Sequence, residues 1–181
     1  MIAAEHSLVI DTAIDNVWHY VKDIRQWASL FPGCRECEVI DDNNSKWIIK
    51  VGAGGLVKTV NVLVTVEQWR GPEAVLFSYQ LESEPVVGGG VYRAVAIDKN
   101  STEITLQIKV EGSGQMAPMW EAMSKPLLPQ MAKSFAGKLK NSIEEIYGQK
   151  TAMSPGPGWL AALRQRLKSF WLRLVGQKIK Q

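Results

Sequence analysis

From residue 36 to residue 111 the chain alternates apolar and polar side chains in one segment after another, and turn-forming residues fill the gaps. The segments are 36–41, 46–51, 57–69, 75–82, 91–98 and 103–111, with a weaker one at 5–10. Between them lie Asp41, Asp42, Asn43 and Asn44, the run 52–55, then Arg70, Gly71 and Pro72, the glycines 88–90, and Lys99, Asn100 and Ser101. A period of two bounded by such residues reads as strands, and connections this short join antiparallel neighbours. One face of several strands is continuously apolar, as in a sheet covered on one side and wet on the other. The inward set is Trp47, Ile49 and Val51, then Val60, Val62, Val64 and Val66, then Val75, Phe77, Tyr79 and Leu81, then Ile104, Leu106, Ile108 and Val110. The segment from Val91 is ambiguous, because the parity that turns Val95 and Ile97 inward also turns Arg93 inward.

Helices flank this block. Asp11 and Thr12 offer caps for a short helix through 16–21 with Trp18 and Val21 facing inward, and a second short helix spans 24–30 and stops at Pro32 and Gly33. Residues 118–147 form a long helix with Met119, Trp120, Met123, Leu127, Leu128, Met131, Phe135, Leu139, Ile143 and Ile146 along its apolar stripe. Pro126 and Pro129 are expected to kink or break its first third. The class is α+β, and a single helix is left to cover a wide sheet. It covers it incompletely, and apolar gaps with a few polar groups are the usual small-molecule sites. The residues expected to line that gap are Leu30, Phe31, Val62, Val64, Phe77, Tyr79, Leu81, Tyr92, Arg93, Leu106, Ile108, Met119, Trp120, Met123, Leu127, Met131 and Phe135. Met116, Met119, Met123 and Met131 add thioethers that adapt to a variable ligand, or that fill an irregular core around two prolines. Tyr79, Tyr92 and Arg93 are the polar candidates for a ligand carbonyl, with a solvent-facing position the alternative for Arg93.

The last twenty-four residues differ in kind. They hold Arg164, Arg166, Lys168, Arg173, Lys178 and Lys180 and no acid, so residues 1–157 carry a formal charge of −3 and the tail +6. At about 100° per residue, Trp159, Leu160, Leu163, Leu167, Phe170, Trp171 and Leu174 fall on one face of a helix, flanked by Arg164, Arg166, Lys168 and Arg173. That is the composition of a helix lying in a membrane interface against anionic lipid, too charged to span. The alternatives are docking on the domain itself, a partner's groove or a nucleic acid. The breaker run 154–158, Ser-Pro-Gly-Pro-Gly, separates the tail from what precedes it. The organisation is thus a domain at 1–147, a linker at 148–158 and a basic amphipathic helix at 159–181.

Other function classes find little support. Met1 to Glu5 lack the cationic and apolar regions of an export signal, so the expected location is cytoplasmic, peripheral on the inner face of the cell membrane. Cys34 and Cys37 form a C-x-x-C, but Pro32 and Gly33 precede it where a redox pair needs a helix N-terminus. A zinc site needs two more ligands, and the two histidines, His6 and His19, lie in different elements. No metal and no covalently bound cofactor are expected. The glycine clusters lack the lysine of a phosphate loop and read as hairpin turns or bends. The negative domain argues against a nucleic-acid face. Catalysis needs a proton donor or acceptor in the cavity, and inward-facing acids are nearly absent, so no catalytic residue is assigned. An assembly adaptor whose tail binds a protein is a third reading.

The order strand, two short helices, six strands and long helix resembles the START-like helix-grip fold of the SRPBCC superfamily. Val17 and Trp18, then Phe31, Pro32, Gly33 and Cys34, Val51 and Gly52 closing a strand, and the glycines 88–90 look like the CoxG family of carbon monoxide dehydrogenase proteins over residues 3–147. The resemblance implies a curved antiparallel sheet of about seven strands under one long helix, followed by a membrane-associating segment. It further implies a carrier of an apolar ligand, a quinone or other lipid-like molecule, delivered between the bilayer and a molybdenum-hydroxylase-type oxidoreductase; the alternative on the same fold is an enzyme of the polyketide cyclase or aromatase type.

Overall fold

The computed structural model describes residues 1–53 and 56–151. The chain runs β1 (Ile2–Ile10), α1 (Ile14–Val21), α2 (Ile24–Ala28), β2 (Cys34–Val39), β3 (Asn44–Ala53), β4 (Leu56–Arg70), β5 (Ala74–Leu81), β6 (Val86–Asp98), β7 (Ser101–Gly112), a short 3₁₀ turn (Gly114–Met116) and α3 (Ala117–Thr151). The strands form one antiparallel sheet in the order β1-β7-β6-β5-β4-β3-β2. Hairpins build it from β2 to β7, and β1 pairs with β7 to complete an edge. β-Bulges between Cys34 and Glu36, between Val66 and Gln68 and between Ala96 and Asp98 bend the sheet, as an extra residue on one strand does. This is the START-like arrangement expected from the order of elements. The tail residues Trp159, Leu160, Leu163, Arg164, Arg166, Leu167, Lys168, Phe170, Trp171, Arg173 and Leu174 lie outside the described residues.

Alternation sets the core. Trp47, Ile49, Val60, Val62, Val64, Val66, Val75, Ile104, Leu106, Ile108 and Val110 are all buried on the face toward α3. The helix meets them with Trp120, Leu128, Ala132, Phe135, Leu139 and Ile143, and Ile146, assigned to the stripe from sequence, is exposed instead. The two halves of α3 differ. Ala132, Ala136, Leu139 and Ile143 are at most 1 % exposed, whereas Met123, Leu127 and Met131 in the first half are only half-buried.

Several local expectations are corrected. Gly88, Gly89 and Gly90 form no turn; they lie inside β6, and the turn is displaced to residues 82–85. A Cβ at Gly88 would sit 2.3 Å from the Tyr79 ring, and one at Gly90 2.6 Å from the Phe77 ring. The missing side chains are therefore the space that two aromatic residues of β5 occupy. Helix α1 begins after Ala13 with no side-chain cap, and its buried residues are Val17, Tyr20 and Val21, while Trp18 turns aside to meet Trp69 edge-on at 6.1 Å. Pro126 and Pro129 do not break α3, which runs unbroken to Thr151, four residues beyond Tyr147. Both prolines are exposed, as are Ala122 and Lys125, whose carbonyls lose their helical donors to the missing N–H groups, so water can serve instead.

Candidate ligand-binding cavity

Between the sheet and α3 lies a cavity of about 150 Å³. Its walls come from every layer. Val21, Trp27 and Phe31 enter from α1, α2 and the turn after it; Trp47, Ile49 and Val51 from β3; Val60, Val62 and Val64 from β4; Val75, Phe77, Tyr79 and Leu81 from β5. β6 gives Val86 and Tyr92, β7 gives Leu106, Ile108 and Val110, and α3 gives Trp120, Met123, Ser124, Leu127, Leu128, Met131, Phe135 and Leu139. An engineered apolar cavity of this size stays dry and accepts a benzene-sized ring. One ring is the natural measure of this space.

The turn after α2 places Phe31. Pro32 and Gly33 occupy its two central positions, Gly33 has φ of 83°, and the Cys34 N–H donates to the Phe31 carbonyl at 3.0 Å. Proline then glycine at positive φ is the chemistry of a type II turn, and it gives the Phe31-Pro32-Gly33-Cys34 run a physical reason. Phe31 stands 5.7 Å from Trp47 and 5.9 Å from Phe135 between ring centroids, and Trp27 stands 5.3 Å from Trp47, 6.5 Å from Phe77 and 6.4 Å from Phe135. Edge-to-face and tilted pairs at these spacings favour rigid packing, so this wall is aromatic and fixed.

Polar groups in the wall are few. The Trp47 indole donates to Ser45 Oγ at 2.8 Å, and the Tyr79 hydroxyl donates to the Lys109 carbonyl at 2.9 Å, passing over Gly88 to reach β7. Tyr92 is 5 % exposed and its hydroxyl has no partner; Trp27 Nε1 has none either. Burial pushes both phenols above their ordinary pKa, so Tyr79 and Tyr92 stay protonated and able to donate at neutral pH. Trp120 Nε1 closes no hydrogen bond of good geometry but lies close enough to Glu84 to help hold that carboxyl low, after the larger effect of Lys58. Lys58 pairs with Glu84 and sits 5.6 Å over the Trp120 ring. No Asp, Glu, His, Lys, Arg or Cys is among the described lining residues.

Of the residues expected to line the gap, three do not. Arg93 is exposed, because β6 turns Tyr92 and Ala94 inward in register with Val75, Leu106 and Ile104. Val95 and Ile97, whose hydropathy suggested the opposite parity, are 61 % and 56 % exposed. Leu30 packs on the core beside the α2 turn, leaving the wall to Phe31, and Met119 sits one position off the lining stripe of α3. Met116 is exposed. Trp27, Val86 and Ser124 were not singled out from sequence, although Trp27 lies three residues after Ile24, a spacing that puts both on one face of α2. Cys34 and Cys37 are free thiols on β2 that do not line the cavity, each thiol pKa pushed up chiefly by burial. His6 and His19 do not line it. Among the described residues no cluster of three or more His, Cys, Asp or Glu could hold a metal, and no helix is long and apolar enough to cross a membrane.

The fold and this site define a helix-grip protein built around an apolar interior. Residues 1–144 match the model of the family described as polyketide cyclase / dehydrase and lipid transport. The chain belongs to that family. No curated protein shows a matching sequence. Among solved structures it is similar to a conserved protein from Geobacillus kaustophilus (18% identity, TM-score 0.67, covering 81% of this chain and 97% of that one). It is also similar to a START superfamily protein from Mycobacterium smegmatis (13%, TM-score 0.61, 80% and 98%) and to the Zhui aromatase/cyclase from a Streptomyces species (16%, TM-score 0.54, 78% and 95%). Likeness at these identities speaks for the fold alone.

Proposed function

We propose that this protein is a non-catalytic carrier that holds an apolar small molecule in the cavity between sheet and α3. The tail 159–181 would keep it on an anionic membrane surface. The observation that carries the reading is the composition of the wall: aliphatic and aromatic side chains, with tyrosines its only ionisable groups among the described residues. Such a wall rewards transfer of apolar surface from water at roughly 25 cal/mol per Å² and offers little for moving protons. The tail's +6 charge and its Trp and Leu face support the membrane half. The resemblance to the CoxG family supports a finer version, in which the cargo is a quinone or lipid-like molecule passed to a membrane-linked oxidoreductase at the inner face of the cell membrane.

Family membership keeps an enzymatic reading open, since aromatase/cyclases share the fold. Chemistry in this cavity would have to run through Tyr79, Tyr92 or Ser124, the hydroxyls of its wall. Native mass spectrometry of the full chain as isolated tests the carrier reading: a released non-covalent species that extracts into organic solvent is expected. Protein that is empty in every preparation and takes up no apolar probe would overturn it.

A further inference from the structure

Tyr79, Tyr92 and Arg93 were the polar side chains that sequence offered for holding a ligand, and the structure separates them. Tyr79 is spent on the Lys109 carbonyl, and Arg93 faces outward. Tyr92 remains, inside the wall, flanked across the sheet by Val75 and Leu106, which also line the cavity. Its hydroxyl is buried without a partner, and so is Trp27 Nε1 in the aromatic wall. A buried polar group left unpaired costs the folded protein about as much as its lost hydration, and in a native structure it marks strain, a functional role or a place that an ordered water or a ligand completes. The indole N–H can only donate and the phenol can also donate, so one partner that completes both is an acceptor.

We propose that the ligand carries a hydrogen-bond acceptor, a carbonyl oxygen or its equivalent, on a body about one ring wide, and that the Tyr92 hydroxyl donates to it with Trp27 Nε1 as a second donor. This rests on the carrier reading and names the class of its cargo. The size of the cavity sets the ring, the rings of Trp27, Phe31, Trp47, Phe77 and Phe135 favour a flat one, and the orphaned donors set its polarity. Saturated hydrocarbons and plain aromatics fill the same space but leave both donors unpaired. A free carboxylate is disfavoured, since no cation lines the wall to offset its desolvation.

Two probes of nearly identical shape isolate the anchor. Acetophenone bears a carbonyl where α-methylstyrene bears a methylene. Calorimetric titration of the full chain, the Tyr92→Phe variant and the Trp27→Phe variant with both compounds gives the ratio of their dissociation constants. Tyr92→Phe is expected to shift that ratio against acetophenone by about five- to tenfold, the worth of one hydrogen bond, with α-methylstyrene binding little changed. Trp27→Phe is expected to shift it in the same direction and by less. The carbonyl stretch of bound acetophenone should also lie at lower frequency in the unaltered protein than in Tyr92→Phe, a signature that a packing role would not produce. If both probes bind and neither the ratio nor the stretch responds to Tyr92→Phe, the anchor is wrong and the carrier reading stands. If the unaltered protein binds neither probe, the carrier reading itself fails.

Discussion

At the level of single residues, much of the interior is decided by side chains that are absent. Gly88 and Gly90 are strand residues whose bare backbone receives the Tyr79 and Phe77 rings, and Tyr79 reaches across Gly88 to the Lys109 carbonyl. Gly88→Ala would place a methyl 2.3 Å from the tyrosine ring and 2.4 Å from that carbonyl oxygen, and the oxygen belongs to backbone that cannot move away. A loss of about 1–3 kcal/mol in urea unfolding is expected, with β6 and β7 losing amide protection first. Tyr92→Phe should act oppositely. Removing an unpartnered hydroxyl relieves a desolvation cost, so the ligand-free variant is expected to unfold at higher urea, by about 1 kcal/mol, while holding acceptor-bearing ligands less well. These residues also mark what the sequence withheld. The parity of β3, β4, β5 and β7 was legible because every second residue there is Val, Ile, Leu or aromatic. β6 was not, since glycines carry no hydropathy signal and its exposed Val95 and Ile97 point the wrong way.

Among the elements, α3 is a clamp at one end and a roof at the other. Its second half is pinned by small and branched residues with no exposed surface and by a polar knot at β1. Lys140 Nζ donates to the Val9 carbonyl at 2.6 Å and pairs with Glu144 at 2.8 Å, and Glu144 accepts from the Asp11 N–H at 2.8 Å. Its first half presents Met123, Leu127 and Met131, half-buried, over the cavity, together with two prolines. The stripe was readable by period, but the break expected at Pro126 and Pro129 was not observed; both prolines are exposed, as are Ala122 and Lys125, whose carbonyls they leave without helical donors. The knot predicts a pH dependence. Burial, the largest single influence, pushes the Glu144 carboxyl up, but the Lys140 hydrogen bond, the Asp11 N–H and the Lys140 charge together outweigh it, so its folded pKa lies below the ordinary value. The stabilisation is complete above the ordinary glutamate pKa and is lost as pH falls through the lower folded value. Glu144→Gln is therefore expected to lose about 1 kcal/mol at pH 7, discounted for partial exposure, and to converge with the parent as pH falls below the folded pKa of that carboxyl. Parallel stability curves across that range would show that the carboxylate does not hold the helix.

For the molecule as a whole, charge is divided as sharply as structure. Residues 1–148 form one compact unit with its own core, while the sequence places −3 on residues 1–157 and +6 on the remainder. On net charge an anionic leaflet repels the first and attracts the second, so the tail is expected to supply the electrostatic attraction to the membrane. Each cation near such a surface contributes about 1 kcal/mol before screening, and Trp159, Phe170 and Trp171 would add an apolar share that salt leaves untouched. A chain ending at Thr151 keeps every described element of the fold and every cavity residue. It is expected to unfold as cooperatively as the full chain, to bind acetophenone unchanged, and to lose co-sedimentation with vesicles of neutral and anionic phospholipid. The full chain should sediment with those vesicles at low ionic strength and progressively less as salt shortens the screening length. Trp171→Ala should weaken what survives at high salt without altering the salt slope. Sedimentation of the shortened chain equal to that of the full chain would move the membrane contact onto the domain, and failure of the shortened chain to fold would make the tail part of the core.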